Sequence, residues 1–150
     1  MPLLFIAIVV VCQFTALLDV LGYEYAALIA ILLAVYAGAA GALRSNRAVA
    51  SGKSVGKAFL GVFARGLGLI GFSLLVSVCT TYFFRHCHVE TGLKLFAFIT
   101  LPTLFHFAAL GVLLGVVFKR RAIAWAVLFL YVVACSIHSV YQFWWAQQNW

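Results

Sequence analysis

The chain has 150 residues, of which 67% are hydrophobic and only 9% are charged. A soluble domain is about half apolar and about a quarter charged, so this composition excludes a water-soluble fold and indicates an integral membrane protein. The formal net charge of +7 does not indicate nucleic-acid binding. The cations lie in short loops beside apolar segments, where membrane orientation and anionic lipid headgroups explain them.

Five apolar segments follow one another along the chain. Each is close to the ~20 residues that a helix needs to cross the hydrocarbon core of a bilayer. The predicted spans cover residues 3–21, 25–43, 66–84, 95–118 and 122–143. This pattern predicts an all-α fold, a polytopic bundle of about five transmembrane helices in a single domain of residues 1–150. No basic region precedes the first segment, so we expect it to be retained and not cleaved as a signal peptide.

The segments between and within the spans predict further details. An acidic turn with a glycine, from Asp19 to Glu24, makes a helical hairpin of the first two spans. Residues 54–65 alternate cations with apolar side chains, the pattern of a segment that lies flat at the inner membrane interface. Pro102 predicts a kink in the fourth span, with the flanking threonines, Thr100 and Thr103, bonding the carbonyls that it frees.

The distribution of charge predicts the orientation of the spans. Residues 44–65 contain five cations and no acid, and basic loops between spans are held on the cytoplasmic side. The residues that determine the topology are Arg44, Arg47, Lys53, Lys57, Lys119, Arg120 and Arg121, and Arg65 lies on the same side. With the N-terminus in the cytoplasm, eight cations face inward and two, Arg85 and Lys94, face outward with all three acids. Five spans then place the C-terminus outside.

Several segments carry a resemblance to a known group of proteins. They are DVLGYEYAALIAILLAVYAGAAGAL, the cysteine-containing loop with the GLKLFAFITLPTLFHFAALGVLLG that follows it, and the aromatic segment 141–150. Together they resemble the N-terminal membrane region of uncharacterised bacterial multi-pass membrane proteins, in which a large extracytoplasmic part follows the last span. The resemblance implies a bacterial inner-membrane location and a chain that forms the membrane part of a longer protein. It implies no established activity.

The outer loop contains a candidate metal site, His86-Cys87-His88. Imidazole and thiolate groups are good ligands for zinc and copper. Three adjacent side chains do not easily face one ion, however, and a fourth ligand would have to come from Glu90 or Asp19. The alternative is a polar loop at the level of the lipid headgroups, without a metal.

Two histidines inside the spans, His106 and His138, are candidate haem ligands, because histidines on neighbouring helices can ligate the iron from both faces. His106 lies roughly 16 Å from the outer end of its span and His138 roughly 8–10 Å from the end of its own, so their depths differ. The alternative is hydrogen bonding to helix carbonyls or to Ser136, Ser139 or Thr103. We expect that the chain has no cofactor.

Asp19 and Glu24 are candidate residues of an ion pathway, because acids within membrane spans mark such pathways by default. They flank a glycine turn at the ends of two spans, where water reaches them. The alternative is pairing with Arg85 or Lys94 across the outer surface.

Small residues recur at the spacing of close helix packing. Gly111 and Gly115 form a G-x-x-x-G motif, and Ala37 and Gly41 have the same spacing. Such residues let helix backbones approach each other in membranes. Glycines also occur at position 61, before the third span, and at positions 66, 68 and 71 within it. We expect these faces to pack within the bundle, with contacts to other membrane subunits as the alternative.

The leading functional hypothesis is a non-enzymatic membrane module that anchors or scaffolds an extracytoplasmic domain or a partner complex. An alternative is a small transporter or channel subunit that uses Asp19, Glu24 and the kinked fourth helix. A third hypothesis is a haem-binding membrane redox protein. The lipid bilayer is the expected partner, and no nucleic acid is expected.

Overall fold

The structure is a computed structural model, and it describes residues 2–12, 23–84, 89–118 and 120–148. Within these ranges, every regular element is an α-helix, which confirms the predicted all-α fold class. The helices are α1 (Pro2–Cys12), α2 (Tyr23–Ala50), α3 (Val55–Phe84), α4 (Val89–Val117) and α5 (Arg121–Gln148).

Three helical segments of the described chain are long and apolar enough to cross a membrane. They are Glu24–Ala50, Val55–Thr80 and Glu90–Val117. α5 contains a shorter apolar segment, Ala122–Cys135. Large apolar side chains face outward, including Phe98, which is 80% exposed, and Phe129, which is 70% exposed. Side chains of this kind are suited to contact with hydrocarbon, so the structure supports a membrane protein. The predicted span 3–21 lies partly outside the described residues.

The described helices extend beyond the predicted spans on the basic side. α2 continues to Ala50 instead of ending at residue 43, and α3 begins at Val55. Residues 55–65 therefore form one continuous helix with the third predicted span and are not a separate interfacial segment. The physical reason is tertiary packing, because Val62 is fully buried and Phe63 packs on the core instead of on lipid.

A tight turn joins α2 to α3. The Lys53 N–H donates to the Ala48 carbonyl at 2.8 Å, and the Gly52 N–H donates to the Val49 carbonyl at 3.2 Å. This pair of bonds is the Schellman motif that closes many helices, and it requires a left-handed residue, which is Gly52 at φ 65°. Because the turn is fixed by backbone bonds, it holds the basic ends of both helices side by side.

α2 is the central helix of the bundle. It contacts α3, α4 and α5, while α1 packs on α3 and α4 also packs on α3 and α5. Its buried side chains Tyr25, Ile29 and Leu33 belong to the main core cluster. Near the C-terminal end of α2, the Asn46 side-chain amide donates to the Phe118 carbonyl at 3.2 Å, which ties the C-terminal end of α4 to α2.

The helix α4 continues through Pro102 without a break. Proline lacks the N–H that would pair with the carbonyl four residues earlier, which is that of Phe98. Thr100 donates to the Phe96 carbonyl at 2.8 Å and Thr103 donates to the Ile99 carbonyl at 2.7 Å. The threonines thus bond carbonyls on either side of the freed one, and the expectation that they bond the carbonyl freed by Pro102 is wrong. The predicted bend of α4 stays a prediction.

Candidate functional site

α2 and α4 are in direct backbone contact at their small residues. A Cβ atom added at Gly111 would lie 2.7 Å from the Cα of Gly38, and one added at Gly115 would lie 2.7 Å from the Cα of Ala42. Both distances are shorter than real Cβ contacts, so a larger side chain at either position requires the helices to separate. The Gly111 and Gly115 motif therefore packs within the bundle, as the spacing predicted.

The glycines of α3 do not all have this role. Gly66 faces the Leu104 side chain of α4, and a Cβ at Gly61 would lie 3.2 Å from Arg44 Nη1. In contrast, Gly68 and Gly71 are exposed, and nothing lies within 4 Å of a Cβ at either position. The prediction that all four glycines form a packing face within this bundle is therefore wrong for Gly68 and Gly71.

Four of the predicted topology-determining cations, Arg44, Arg47, Lys53 and Lys57, line a groove at the basic end of the bundle, whereas Lys119 lies outside the described residues. Two adjoining cavities, of about 510 and 570 Å³, share Arg44 and Arg47. The first is lined also by Lys53 and Lys57, and the second also by Arg65 and apolar side chains of α2 and α3. We call these two cavities together the basic groove. Arg120, at the junction of α4 and α5, does not line it.

A third cavity is apolar. It has a volume of about 260 Å³ and lies between α1, α2 and α5, where Phe5, Leu32 and Trp125 are among its lining residues. Tyr36, Ala40 and Leu43 line this cavity and the second cavity of the basic groove. The apolar surface of α2 is therefore continuous from the interior of the bundle to the arginines at its basic end.

A buried polar contact ties α2 to α3 in the other half of the bundle. The Tyr25 hydroxyl donates to the Ser73 carbonyl at 3.1 Å, and the Tyr25 ring stacks on Phe96 of α4 at 5.9 Å. Tyr25, Ser73 and Phe96 are fully buried. The contact joins three helices, and its fully buried position and its bond to a backbone carbonyl indicate a structural role.

His106 contacts a residue that the sequence had not suggested. Its Nε2 shares a hydrogen bond of 2.7 Å with the Tyr131 hydroxyl, and the two rings stack at 5.7 Å. This pair of side chains links α4 to α5. Tyr131 carried a recognisable signal, because a phenol within an apolar span usually has a hydrogen-bond partner.

The structure does not bring the two candidate haem ligands to one level. His106 lies beside Tyr131, and His138 follows Tyr131 on α5 by seven residues, or about 10 Å along a helix. One haem iron needs its two axial nitrogens on opposite sides within a few ångströms. The His106 nitrogen that would ligate iron is instead hydrogen-bonded to Tyr131.

The other candidate site residues are only partly described. His86, Cys87, His88 and Asp19 lie outside the described residues, and no cluster of three or more metal-ligating side chains occurs among those described. Glu24 is exposed in the first turn of α2.

Lys94 pairs with Glu90 and not with Glu24. The distance between Lys94 Nζ and Glu90 Oε1 is 2.6 Å, one turn apart on α4, and these side chains are 74% and 80% exposed. Asp19 and Arg85 lie outside the described residues, and the alternative pairing of Glu24 with Lys94 is not what the structure contains. The reason is that α4 begins at Val89, which puts Glu90 and Lys94 on one helix face.

The chain matches no protein-family model, and neither the curated proteins nor the solved structures yield a match. The assignment of function therefore depends on the geometry of the helices and on the distribution of their charges.

Proposed function

We propose that the chain is a non-enzymatic, integral membrane module that anchors or scaffolds an extracytoplasmic domain or partner complex. In this proposal five helices span a bacterial inner membrane, with the N-terminus in the cytoplasm and the C-terminus outside. The observation that carries the proposal is the backbone contact between α2 and α4 at Gly38 and Gly111. A central pair of helices without space between their backbones is a rigid support for whatever is attached to it.

The same contact argues against a transport pathway through the centre of the bundle. A solute path between α2 and α4 would require the helices to separate at Gly111 and Gly115, where they are closest. Glu24, the candidate pathway acid that is described, lies at the exposed start of α2 and not between these helices.

The charged ends of the helices support the proposed orientation. Arg44 and Arg47 lie near the end of α2 and Lys53 in the turn after it, whereas Glu24 and Glu90 lie in the first turns of α2 and α4. Apart from Lys94, which pairs with Glu90, these cations lie at the opposite end of the long helices from the described acids. The positive-inside rule predicts that a basic end of this kind is held in the cytoplasm. Near the C-terminal end of α5, Tyr141 and Trp145 are exposed and stack at 6.3 Å, an arrangement typical of the aromatic belt at a membrane interface.

A reconstitution experiment distinguishes the scaffold from a proton-coupled transporter. We expect that purified protein in liposomes produces no pH-driven flux above that of empty liposomes. Asp19→Asn and Glu24→Gln should leave the thermal unfolding temperature nearly unchanged, because solvent-reached acids contribute only ~0–1 kcal/mol each. A pH-dependent flux that disappears in either variant while the protein stays folded would overturn the proposal in favour of a transporter.

A reporter experiment tests the anchoring role directly. A soluble reporter enzyme fused after Trp150 should remain in the membrane fraction after alkaline washing, and external protease should release it from intact spheroplasts. The matched control fuses the same reporter after Ala50, at the end of α2. That reporter should be protected from protease until the membrane is permeabilised. Protection of the first fusion and release of the second would contradict the proposed orientation.

A further inference from the structure

We infer that the basic groove between α2 and α3 is a binding site for an anionic phospholipid of the inner leaflet. The five cations of the groove are concentrated on two adjoining helix ends and the turn between them. They are Arg44, Arg47, Lys53, Lys57 and Arg65. Basic pockets between helices on the cytoplasmic side are suited to anionic lipid headgroups.

The cations of the groove are held close together without an acid to balance them. The Arg44 guanidinium lies against the α3 backbone at Gly61, one helical turn from Arg65. Positive charges that lie this close to one another on adjoining helices repel each other. The acids of the described residues are Glu24 and Glu90, and Arg44 follows Glu24 on α2 by 20 residues, or about 30 Å of helix. The groove therefore carries positive charge that the described acids do not balance, and this charge favours an external anion.

The shape of the groove is fixed by the fold. The Schellman bonds at Gly52 and Lys53 hold the turn, and the Ser51 hydroxyl donates to the Arg47 carbonyl at 2.9 Å. A turn whose backbone is already fixed loses less conformational freedom when the groove binds an anion than a flexible loop does. The turn also places Lys53 and Lys57 on the same cavity as Arg47.

The position of Arg65 suits a lipid phosphate. α3 has 30 residues, or about 45 Å of helix, whereas the hydrocarbon core is about 30 Å thick. Arg65 lies ten residues from the start of α3, which is about 15 Å. If the excess length of α3 lies on the cytoplasmic side, Arg65 is at the boundary between headgroups and hydrocarbon.

The lining of the second cavity indicates a lipid and not a soluble phosphate. Beyond its three arginines, Arg44, Arg47 and Arg65, this cavity is lined by large side chains that include Tyr36, Leu43 and Leu69. Gly68 lines it as well, and the space beside Gly68 is open to at least 4 Å. An acyl chain can occupy an apolar surface of this kind, whereas a free phosphate makes no use of it. The arginines would hold the phosphate diester of the lipid, and the apolar part of the cavity would hold the start of one acyl chain.

Lipid titration tests the site on the purified full chain in neutral detergent. Native mass spectrometry would measure the binding of dioleoyl phosphatidylglycerol, with dioleoyl phosphatidylcholine as the neutral probe. We expect preferential binding of phosphatidylglycerol and a loss of about tenfold in its affinity in the double variant R44Q/R47Q. The matched control R120Q/R121Q also removes two positive charges, but from the junction of α4 and α5. It should change the affinity for phosphatidylglycerol by less than about twofold. Equal losses in both double variants would overturn the proposal, because they indicate a general charge effect.

A second pair of variants tests the apolar part of the site while all charges are kept. Gly68→Leu fills the second cavity, whereas Gly71→Leu adds the same side chain at an exposed position that does not line it. Both positions have space for a side chain, so both variants should fold. Phosphatidylglycerol binding should fall in Gly68→Leu only. Equal binding in the two variants, together with displacement of the lipid by millimolar inorganic phosphate, would assign the groove to a soluble phosphate and refute the lipid site.

Discussion

The absence of a side chain at Gly111 decides how closely α2 and α4 approach each other. An added Cβ would contact the carbonyl oxygen of Gly38 and lie 2.7 Å from its Cα. The neighbouring atoms belong to a helix backbone, which cannot rotate away as a flexible side chain can. In membranes, where burial of apolar surface does not favour one helix contact over contact with lipid, close packing of this kind is a main source of stability.

Gly111→Ala should therefore destabilise the bundle. Forcing a methyl group into a closely packed interface costs about 1–3 kcal/mol, since the helices have to shift apart. Thermal unfolding of the purified protein in detergent should show a lower Tm than that of the unmodified chain. Gly71→Ala is the matched control, because an added Cβ at Gly71 meets no atom within 4 Å and alanine is the better helix former. A Tm for Gly111→Ala equal to that of Gly71→Ala would contradict the close contact of α2 and α4.

The positions of single polar residues were predictable, but their partners were not. His106 was recognisable from the sequence as a polar group within an apolar span, yet its partner Tyr131 lies 25 residues away on another helix. A long-range partner depends on how two helices are rotated about their axes. Where almost every residue of a helix is apolar, the hydrophobic pattern does not indicate which face of the helix meets its neighbour. The pairing of Glu90 with Lys94 was missed for a simpler reason, because the start of α4 was placed too late in the chain.

At the level of helices, the hydrophobic pattern predicted the approximate centres of α2, α3 and α4, and it predicted their ends less well. The pattern stops at the first cations, so the predicted second span ended at residue 43. α2 continues through Arg44 and Arg47 to Ala50. Arginine is a good helix former, and its long side chain can extend to polar surroundings from a helical backbone. The first cations of a segment therefore do not mark the end of its helix.

Pro102 is the position at which we expect α4 to bend. The helix is continuous from Val89 to Val117, but Pro102 leaves the Phe98 carbonyl without its usual N–H donor and its ring presses on that turn. Proline is among the few causes of kinks greater than ~20° in helices. The bend should displace the Val89 end of α4 relative to α3.

Pro102→Ala should straighten α4. Spin labels at Leu93 on α4 and Leu75 on α3, both exposed, report the position of that half of the helix. Nine residues form a lever of about 13 Å, so the loss of a bend of ~20° or more moves Leu93 by roughly 5 Å. The distance from Leu75 to Leu113, beyond the proline, is the control and should stay the same. An unchanged distance from Leu75 to Leu93 would show that Pro102 does not bend the helix.

The molecule as a whole separates its charges along the helix axes. The cations of the basic groove lie where α2 ends and α3 begins, and the described acids lie in the first turns of α2 and α4. The sequence alone predicted this separation, because it follows from the order of charges along the chain. It did not predict that the cations enclose a groove, since that depends on the Schellman turn at Gly52 and on the contact of Arg44 with Gly61.

The crossing of α5 decides whether the C-terminus lies outside. The apolar segment Ala122–Cys135 is shorter than those of α2, α3 and α4. However, α5 as a whole has 28 residues, or about 42 Å of helix, which exceeds the ~30 Å of the hydrocarbon core. Arg120 lies directly before α5 and Arg121 is its first residue. The exposed aromatic residues Tyr141 and Trp145 lie near its other end. Cations at one end and aromatic residues at the other are expected of a helix that crosses outward from the cytoplasm.

Single cysteines at exposed positions, introduced into a chain whose native cysteines are replaced by alanine, test this topology. A membrane-impermeant maleimide applied to intact cells should label Thr91→Cys, in the first turns of α4, and Gln142→Cys, near the end of α5. Ser51→Cys, in the α2–α3 turn, should be labelled only after permeabilisation, because the positive-inside rule predicts that a turn beside five cations is held in the cytoplasm. If Gln142→Cys follows the pattern of Ser51→Cys, α5 does not cross the membrane. If Ser51→Cys is labelled in intact cells and Thr91→Cys is not, the whole bundle has the opposite orientation, and the basic groove would then face outward.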